Sequence, residues 1–333
     1  MRHDGAGTIG IFSYEDDHHS DAVSARLNEL DRDVVVLSCE DYCRKWTASW
    51  TVVGDQPGLI FETDTQTFNA SEISAWWFRR EPVFPPNDGL SGVDRYIESQ
   101  KSIFLHMMLH ELADQRPCID APSQVTRAKS KLLQQRVAVS RGLSVPATFT
   151  GGSPNLAWLW THEVSGQLCS KAIEAGRITN EDGSAHAKFT TLFERRSEKE
   201  LSSLRSCPVN IQQFIPKQLE LRVTVIGQDV FAASIDVSAA NEPSKIDWRH
   251  YDWANTRYAK FELPAPVRSK ILAVMEDLNL HYGAFDFVVT PDEEYVFLEV
   301  NPTGQFLWVE DLTDLPLTDA MAKLLIEKCT PSP

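Results

Sequence analysis

Basic residues are scarce in this chain: 32 Lys and Arg stand against 47 Asp and Glu, a formal net charge of -15 over 333 residues. Nucleic-acid contact is driven by lysine and arginine, and no basic stripe is visible, so the charge disfavours a nucleic-acid binder and no nucleic-acid partner is expected. Any polyanionic ligand should be small and metal-neutralised. No stretch approaches the roughly 20 apolar residues of a membrane span, and the opening MRHDGAGTIG contains no apolar signal core. A cytoplasmic protein with no membrane partner is therefore expected. The six cysteines are scattered, and the close pair Cys39 and Cys43 has no second pair at zinc-site spacing, which leaves reduced thiols as the simpler reading. Phosphate-binding glycine motifs are missing too: neither GxxxxGKS/T nor GxGxxG after a strand occurs, which counts against P-loop and dinucleotide folds, and no GxSxG elbow is present. Internal repeats and low-complexity tracts are likewise absent.

What remains is an ordinary globular composition, 42% hydrophobic and 24% charged, long enough for two or three compact domains. The chain opens with the strand pattern IGIF (Ile9 to Phe12), an amphipathic segment from Asp21 to Leu30, and VVVL (Val34 to Leu37), the alternation of a parallel α/β sheet. AWWFRR (Ala75 to Arg80) reads as a further strand, followed by a Pro-rich turn. A long helix comes next, with Val93, Ile97, Phe104, Leu105, Met108 and Leu112 in one apolar stripe. The character changes at Cys118, where a link, a helix through about Ser140, a Gly142 C-cap and a strand after Pro146 place a domain boundary near Ile119. A strand from Leu168 to Ile173 precedes a loop-like stretch, Ala175 to Thr190, whose composition suits closure on a ligand. A helical pattern, Glu198 to Ser206, comes next. Three strands, NIQQFI, LELRVTVI and VFAASIDV, lead to an irregular polar and aromatic segment, a helix from Pro266 to Leu280, a hairpin, and a terminal helix from Thr318 to Lys328.

The hairpin AFDFVVTPDEEYVFLEVN carries the most chemistry. If Thr290 pairs with Tyr295, Asp286 lies opposite Glu299 and Ala284 opposite Asn301. Glu299 and Asn301 then share a face, and Phe285, Phe287, Leu298 and Val300 point to the other. Facing carboxylates about 5 Å apart repel unless a cation intervenes, and two carboxylates with an amide oxygen are hard ligands suited to Mg²⁺, which commonly bridges to phosphates. Nucleotide chemistry is the leading idea; a solvated sheet face is the plain alternative.

Other candidates keep a bland reading beside the functional one. Lys171, inside the apolar strand LCSKAIE, either meets an anion or protects a sheet edge. Lys131 reads first as a solvated helix lysine, with Lys129 an equally placed competitor. Glu220 and Arg222 share a strand face, where they form either an ordinary ion pair or a ribose acceptor and a phosphoryl-stabilising cation. In the DWR loop, Asp247 could orient or deprotonate a nucleophile and Arg249 could hold a carboxylate, or the two pin the loop as an ion pair. Arg79 and Arg80 are either a strand-end cation pair or part of a site. His18 and His19 receive no role.

Taken in chain order, the helix lysine, the strand lysine, QQFI, the ELR strand and the Asp…Glu-x-Asn hairpin resemble the ATP-grasp ligase superfamily. AWWFRR, IQQFIPKQLELRVTVIGQDVFAASID, DWR and FLEVNPTGQFLWVE resemble more closely its peptide-maturing members of the microviridin or graspetide type, over nearly the whole chain. Two departures are visible: Thr303, Gly304, Gln305 and Phe306 stand where that family usually has Asn-Gly-Gln-Trp, and Glu81 separates the arginine pair from Pro82.

The resemblance implies an ATP-grasp fold, two α+β subdomains clamping ATP (residues 119–208 and 209–333), preceded by an α/β pre-ATP-grasp domain (residues 1–118). It places Lys131 and Lys171 on phosphates, adenine against the Gln212, Gln213, Phe214 and Ile215 hinge, and ribose on Glu220. Two Mg²⁺ ions would sit at Asp286, Glu299 and Asn301, Arg222 would stabilise the transferred phosphoryl group, and Asp247 would be the base. Arg249, Arg79 and Arg80 would hold the substrate. That substrate would be an acidic core, attached to a leader, in a ribosomally made precursor peptide. Its Asp or Glu side chains would be activated as acyl phosphates and closed onto Ser or Thr hydroxyls or Lys amines, by an enzyme expected to be a homodimer. Another ATP-grasp ligase of amino acids or protein tails, and a non-catalytic nucleotide-binding module, are the competing readings.

Overall fold

The structure, a computed structural model, describes residues 7–80, 90–173, 177–180, 184–187 and 189–329. The Pro-rich turn expected after Arg80, with Glu81 and Pro82, and the glycines Gly176 and Gly183 lie outside the described residues. Among those described, no helix is long and apolar enough to cross a membrane.

A four-stranded parallel sheet comes first, ordered Val34–Ser38, Thr8–Ser13, Ile73–Phe78 and Cys118–Ile119. Its strands read as continuous apolar runs because both faces are covered. One face packs Phe12, Trp76 and Phe78 against Leu105, Met108, Leu109 and Leu112 of the helix Gly92–Gln115. The other packs Ile9, Ile11 and Trp77 against Val23 and Leu27 of the helix His18–Glu29 and Met321 and Leu325 of the helix Leu317–Cys329. The last helix thus returns from the far end of the chain to seal the first sheet. The expected apolar stripe of Gly92–Gln115 is buried only in its second half; Val93 and Ile97 are exposed. Twenty-four residues make about 36 Å of helix, and the six-residue strand beneath spans about 20 Å, so the first turns run past the sheet.

Antiparallel sheets make up the rest: Trp46–Val53, Gln56–Thr63 and Thr67–Asn69 form one before Ile73, Arg177–Thr179 pairs with Ala185–Ala187 inside the stretch expected as a loop, and two larger sheets follow the parallel one. The smaller has the order Thr191–Phe193, Leu168–Lys171, Val209–Gln213 and Thr148–Gly151. The larger runs Arg257–Phe261, Asp229–Asp236, Leu219–Ile226, Tyr282–Val289 and Tyr295–Asn301, backed by the helices Lys131–Ser140 and Ala265–Leu278. Three further expectations change. The helix through Ser140 is two helices, Pro122–Ala128 and Lys131–Ser140, because Ser130 restarts it as an N-cap that accepts from Leu133 N. The helical pattern at 198–206 forms only the 3₁₀ turn Ser202–Arg205, since Leu201 and Leu204 are its only buried apolar anchors and Pro208 stops it. The irregular segment after Asp236 contains the edge strand Arg257–Phe261, which a run of charged residues concealed.

Candidate active site

The floor of the site is the face shared by Leu219–Ile226, Tyr282–Val289 and Tyr295–Asn301. Alternation sends Leu221, Val223 and Val225 into the apolar core and turns Glu220, Arg222 and Thr224 to the opposite, also buried, face. Asp286 pairs with Arg222 on one side and Glu299 on the other, and Ala284 with Asn301, so the expected register holds where the carboxylates stand. Nearer the turn it does not. Val289, not Thr290, faces Tyr295, and Leu298 is the extra residue of a bulge between the pairs Asp286–Glu299 and Phe287–Phe297. Phe297 therefore fills the core place assigned to Leu298, with its ring 5.7 Å from Phe287 and 5.9 Å from Phe285. Leu298 turns instead into the cavity over the sheet. At that place the Phe297 ring interlocks with Phe285 and Phe287, and the bulge is the distortion that admits it.

Charges above this floor are matched pair by pair. Arg222, 6% exposed, donates through Nη1 to Asp286 Oδ1 at 3.0 Å and through Nη2 to the Gln305 carbonyl at 3.2 Å. Lys131 Nζ lies 2.5 Å from Glu299 Oε2, and Arg249 Nη1 3.8 Å from Oε1. Burial raises the pKa of Glu299, but Lys131, Lys171 and Arg249 outweigh it and hold the carboxyl below its ordinary value. Glu220 and Arg222 do not pair with each other: Glu220 meets Lys217, and burial still pushes its carboxyl upward. Asp247 is 4% exposed and grips Arg249 in a fork, Nε to Oδ1 and Nη2 to Oδ2, both 2.8 Å. It also accepts the Thr190 and Arg249 backbone N–H groups at 3.0 and 3.2 Å. Burial would raise its pKa, yet these partners hold it far below the ordinary carboxylate range. A carboxylate so stabilised is a weak base, and its geometry is that of an anchor for Arg249.

Two connected hollows overlie the floor. The narrower, about 50 Å³, is bounded by Gln212, Gln213, Phe214 and Ile215, by Val288 and Leu298 below, and by Glu220 and Lys217. Its walls suit a flat heterocycle with a polar edge. Gln212 is buried with Nε2 donating to Thr148 Oγ1 at 3.1 Å, and the Phe214 N–H is taken by the Gln167 carbonyl at 2.8 Å. The wider, about 750 Å³, carries Arg80, Lys129, Lys131, Lys171, Arg222 and Arg249 on its walls, with Asp286, Glu299 and Asn301 at its base. Lys171, Asp286, Glu299 and Arg249 border both hollows. In a chain of net charge -15, such a cluster of cations marks a place for anions. Among the described residues no three His, Cys, Asp or Glu side chains converge. Two carboxylates and the Asn301 amide are nonetheless the oxygen donors Mg²⁺ takes while keeping several waters, so the residues fit that ion.

Arg79 is used elsewhere. It is 2% exposed, with Nε 3.2 Å from Asp17 Oδ2 and Nη1 donating to the Thr303 carbonyl at 2.7 Å. Burial, opposed by Asp17, brings its pKa down to about 10, still protonated at neutral pH. Only Arg80 of the pair reaches the cavity. The sequence reading missed Gln134, buried in the helix beside the floor. It donates to Ala128 O and Val300 O, both at 2.7 Å, and accepts Val300 N at 3.1 Å, locking the strand between Glu299 and Asn301. Nothing in the sequence distinguishes it from its neighbour Gln135. Gly304 has a clear reason: a Cβ there would stand 2.5 Å from Ala284 Cβ and 2.8 Å from Arg222 Nη2, so only glycine lets the 301–306 loop lie on the arginine.

No family model and no curated protein matches the sequence. Solved structures do. A RiPP-associated ATP-grasp ligase of Chryseobacterium gregarium, in complex with ADP and a leader and core peptide, is 28% identical with a TM-score of 0.88 over 98% of both chains. The macrocyclase MdnC of Microcystis aeruginosa MRC, bound with precursor peptide MdnA, is 26% identical with a TM-score of 0.82, covering 96% of this chain and 99% of that one. The macrocyclase MdnB of the same organism is 26% identical with a TM-score of 0.79 at the same coverage. Shared from end to end with these proteins, the fold is an ATP-grasp fold, and over its whole length the chain is similar to RiPP-associated ATP-grasp ligases and peptide macrocyclases.

Proposed function

We propose that this protein is an ADP-forming ligase that activates Asp or Glu side chains of a ribosomal precursor peptide and closes them onto a Ser or Thr hydroxyl, giving an ester, or a Lys amine, giving an amide. The observation that carries the reading is the joined pair of hollows: a slot walled by Gln212 to Ile215 that opens onto a cation-walled chamber, with Asp286 and Glu299 at their junction. The neighbours' bound ADP and peptides point the same way. In this reading residues 1–118 form the pre-grasp domain and residues 119–208 and 209–333 the two halves of the grasp.

ATP supplies the phosphoryl group and Mg²⁺, in two ions, the positive charge that makes its transfer possible. Leu298, Val288 and Gln213 to Ile215 would hold the adenine, and Glu220 would take the ribose. Lys131 and Lys171 would bind phosphate oxygens, Asp286, Glu299 and Asn301 would hold the metal, and Arg222 would stabilise the transferred group. A peptide carboxylate, a poor electrophile, becomes an acyl phosphate, and the attacking hydroxyl or amine expels phosphate as it gives up its proton. Arg249, held by Asp247, and Arg80 steady the acidic core. Arg79, already committed to Asp17 and Thr303, acts through the loop it holds.

The test incubates the protein with ATP, Mg²⁺ and a short acidic peptide encoded beside its gene, following ADP by a coupled assay and the peptide by mass. Loss of water from one peptide, with ADP released in step, supports the reading. Joined free amino acids would assign the activity to another ATP-grasp ligase, and nucleotide binding without turnover would make the protein a regulatory module.

A further inference from the structure

His19 sits on the first turn of the helix His18–Glu29, far in sequence from the catalytic strands, and is 7% exposed. Its ring lies edge-on to Phe306, with centroids 4.8 Å apart, and its Nε2 accepts the backbone N–H groups of Phe306 at 3.0 Å and Leu307 at 3.4 Å. Those groups can only donate. Nε2 must therefore be unprotonated, and the proton of a neutral ring sits on Nδ1, 3.2 Å from Asp17 Oδ1. Asp17 is itself fixed by Ser13 Oγ at 2.7 Å and Arg79 Nε at 3.2 Å. Tautomer and orientation are dictated from both sides.

The segment His19 holds is the loop after Asn301, and its backbone groups are nearly all accounted for. The Thr303 carbonyl accepts from Arg79 at 2.7 Å, the Gly304 carbonyl from Tyr282 Oη at 2.7 Å, and the Gln305 carbonyl from Arg222 at 3.2 Å. Thr303 N donates to Asn301 Oδ1 at 3.1 Å. Two of these fastenings, His19 and Arg79, come from the pre-grasp domain. We infer that His19, oriented by Asp17, is a positioning residue: its neutral imidazole clamps the Phe306–Leu307 backbone and so fixes the loop that aims Asn301 and the Arg222 guanidinium at the floor of the site. A protonated ring would set an N–H against two N–H groups and open the clamp. The charged groups facing it are Asp17, which favours protonation, and Arg79 and Arg80, which oppose it together with burial; the balance lowers its pKa from 6.5. The clamp therefore holds at neutral pH and releases only in acid.

For its catalytic consequence the inference rests on the proposed ligase, so it is tested first without ligand, by hydrogen exchange of the 303–307 amides corrected for intrinsic rate. His19→Leu removes the acceptor and should speed exchange there about 10- to 100-fold relative to the first-sheet strands. His19→Gln keeps an acceptor oxygen but cannot titrate: it should retain protection at pH 7 and lose the extra acid-induced exchange that the wild type shows as its ring protonates. ADP release should fall in His19→Leu, recover in His19→Gln, and lose its acid limb in the latter. Unchanged exchange in His19→Leu, or an acid response in His19→Gln equal to wild type, overturns the clamp. If Glu299→Gln also left ADP release intact, the nucleotide reading would fall while the exchange result stood on its own.

Discussion

Asp247 and Arg249 are the pair on which two roles can be separated. In the anchor role, Asp247 matters only by holding Arg249; as a base, it takes the proton of the attacking hydroxyl. The two 2.8 Å charge-assisted bonds between them would each contribute about 1.5–3 kcal/mol if fully buried, but the Arg249 side chain is 40% exposed, so water discounts them. A coupling of about 1–2 kcal/mol remains, or about 5- to 30-fold in rate. The cycle consists of Asp247→Asn, Arg249→Gln and the double variant, each assayed for ADP release and for ring closure by mass. An anchor predicts that either single variant slows closure to a similar extent and that the double variant is little worse. A base predicts that Asp247→Asn alone stops closure while ADP still forms, and additive losses of that kind would refute the anchor. The pair also contributes stability: because Asp247 is lowered in the fold, that contribution is complete above the unfolded value of about 3.9 and disappears as pH falls through the lower folded value.

Two further substitutions test the floor. Glu299→Gln should remove most ADP formation, since the ligand charge is lost while the shape is kept; a melting curve near that of the wild type, with turnover intact, would exclude the metal assignment. Phe297→Ala should destabilise by about 3–5 kcal/mol and Leu298→Ala by far less, read as shifts of the denaturant midpoint; equal losses would contradict the bulge.

Much of this was legible in the sequence, and the reason lies in periodicity. Strands with a two-residue repeat announce themselves, so Leu219–Ile226 and the hairpin follow from alternation, whereas the facing of Asp286 with Glu299 was expected from a Thr290–Tyr295 pairing and holds only because the bulge offsets the shifted turn. The bulge at Leu298 was not legible, because Phe297 and Leu298 are both apolar and either satisfies the pattern; only three-dimensional packing chooses between them. The fates of Arg79 and Arg80 were open for a similar reason. Adjacent residues on a strand diverge, and which one turns inward depends on Asp17 and Thr303, remote in sequence. His19, Gln134 and Asp120 belong to the same class. Each makes a bond spanning more than 100 residues, Asp120 accepting His281 N at 2.8 Å and Tyr282 N at 3.0 Å, and no local pattern encodes such a partner.

The charge pairing across the floor has a consequence for how ligands enter. Asp286 is held by Arg222 and Glu299 by Lys131, so no carboxylate there waits unpaired. On the proposed reading, a metal ion arriving alone would take the carboxylates and strand an arginine that is 6% exposed, while a phosphate arriving alone would take the cations and strand the carboxylates. Either outcome leaves a poorly solvated charge without its partner, a penalty of several kcal/mol in a buried setting and less here, where Lys131 and Glu299 are a quarter exposed. A metal–nucleotide complex brings both charges at once and exchanges pairs for pairs. Mg²⁺ and ADP should therefore bind with positive coupling of at least about tenfold, each tightening the other by the same factor. Isothermal titration of ADP with and without Mg²⁺ measures it, and in Glu299→Gln the coupling should shrink toward zero. Equal ADP affinity in the two conditions for the wild type would show that the carboxylates and the cations serve different ligands.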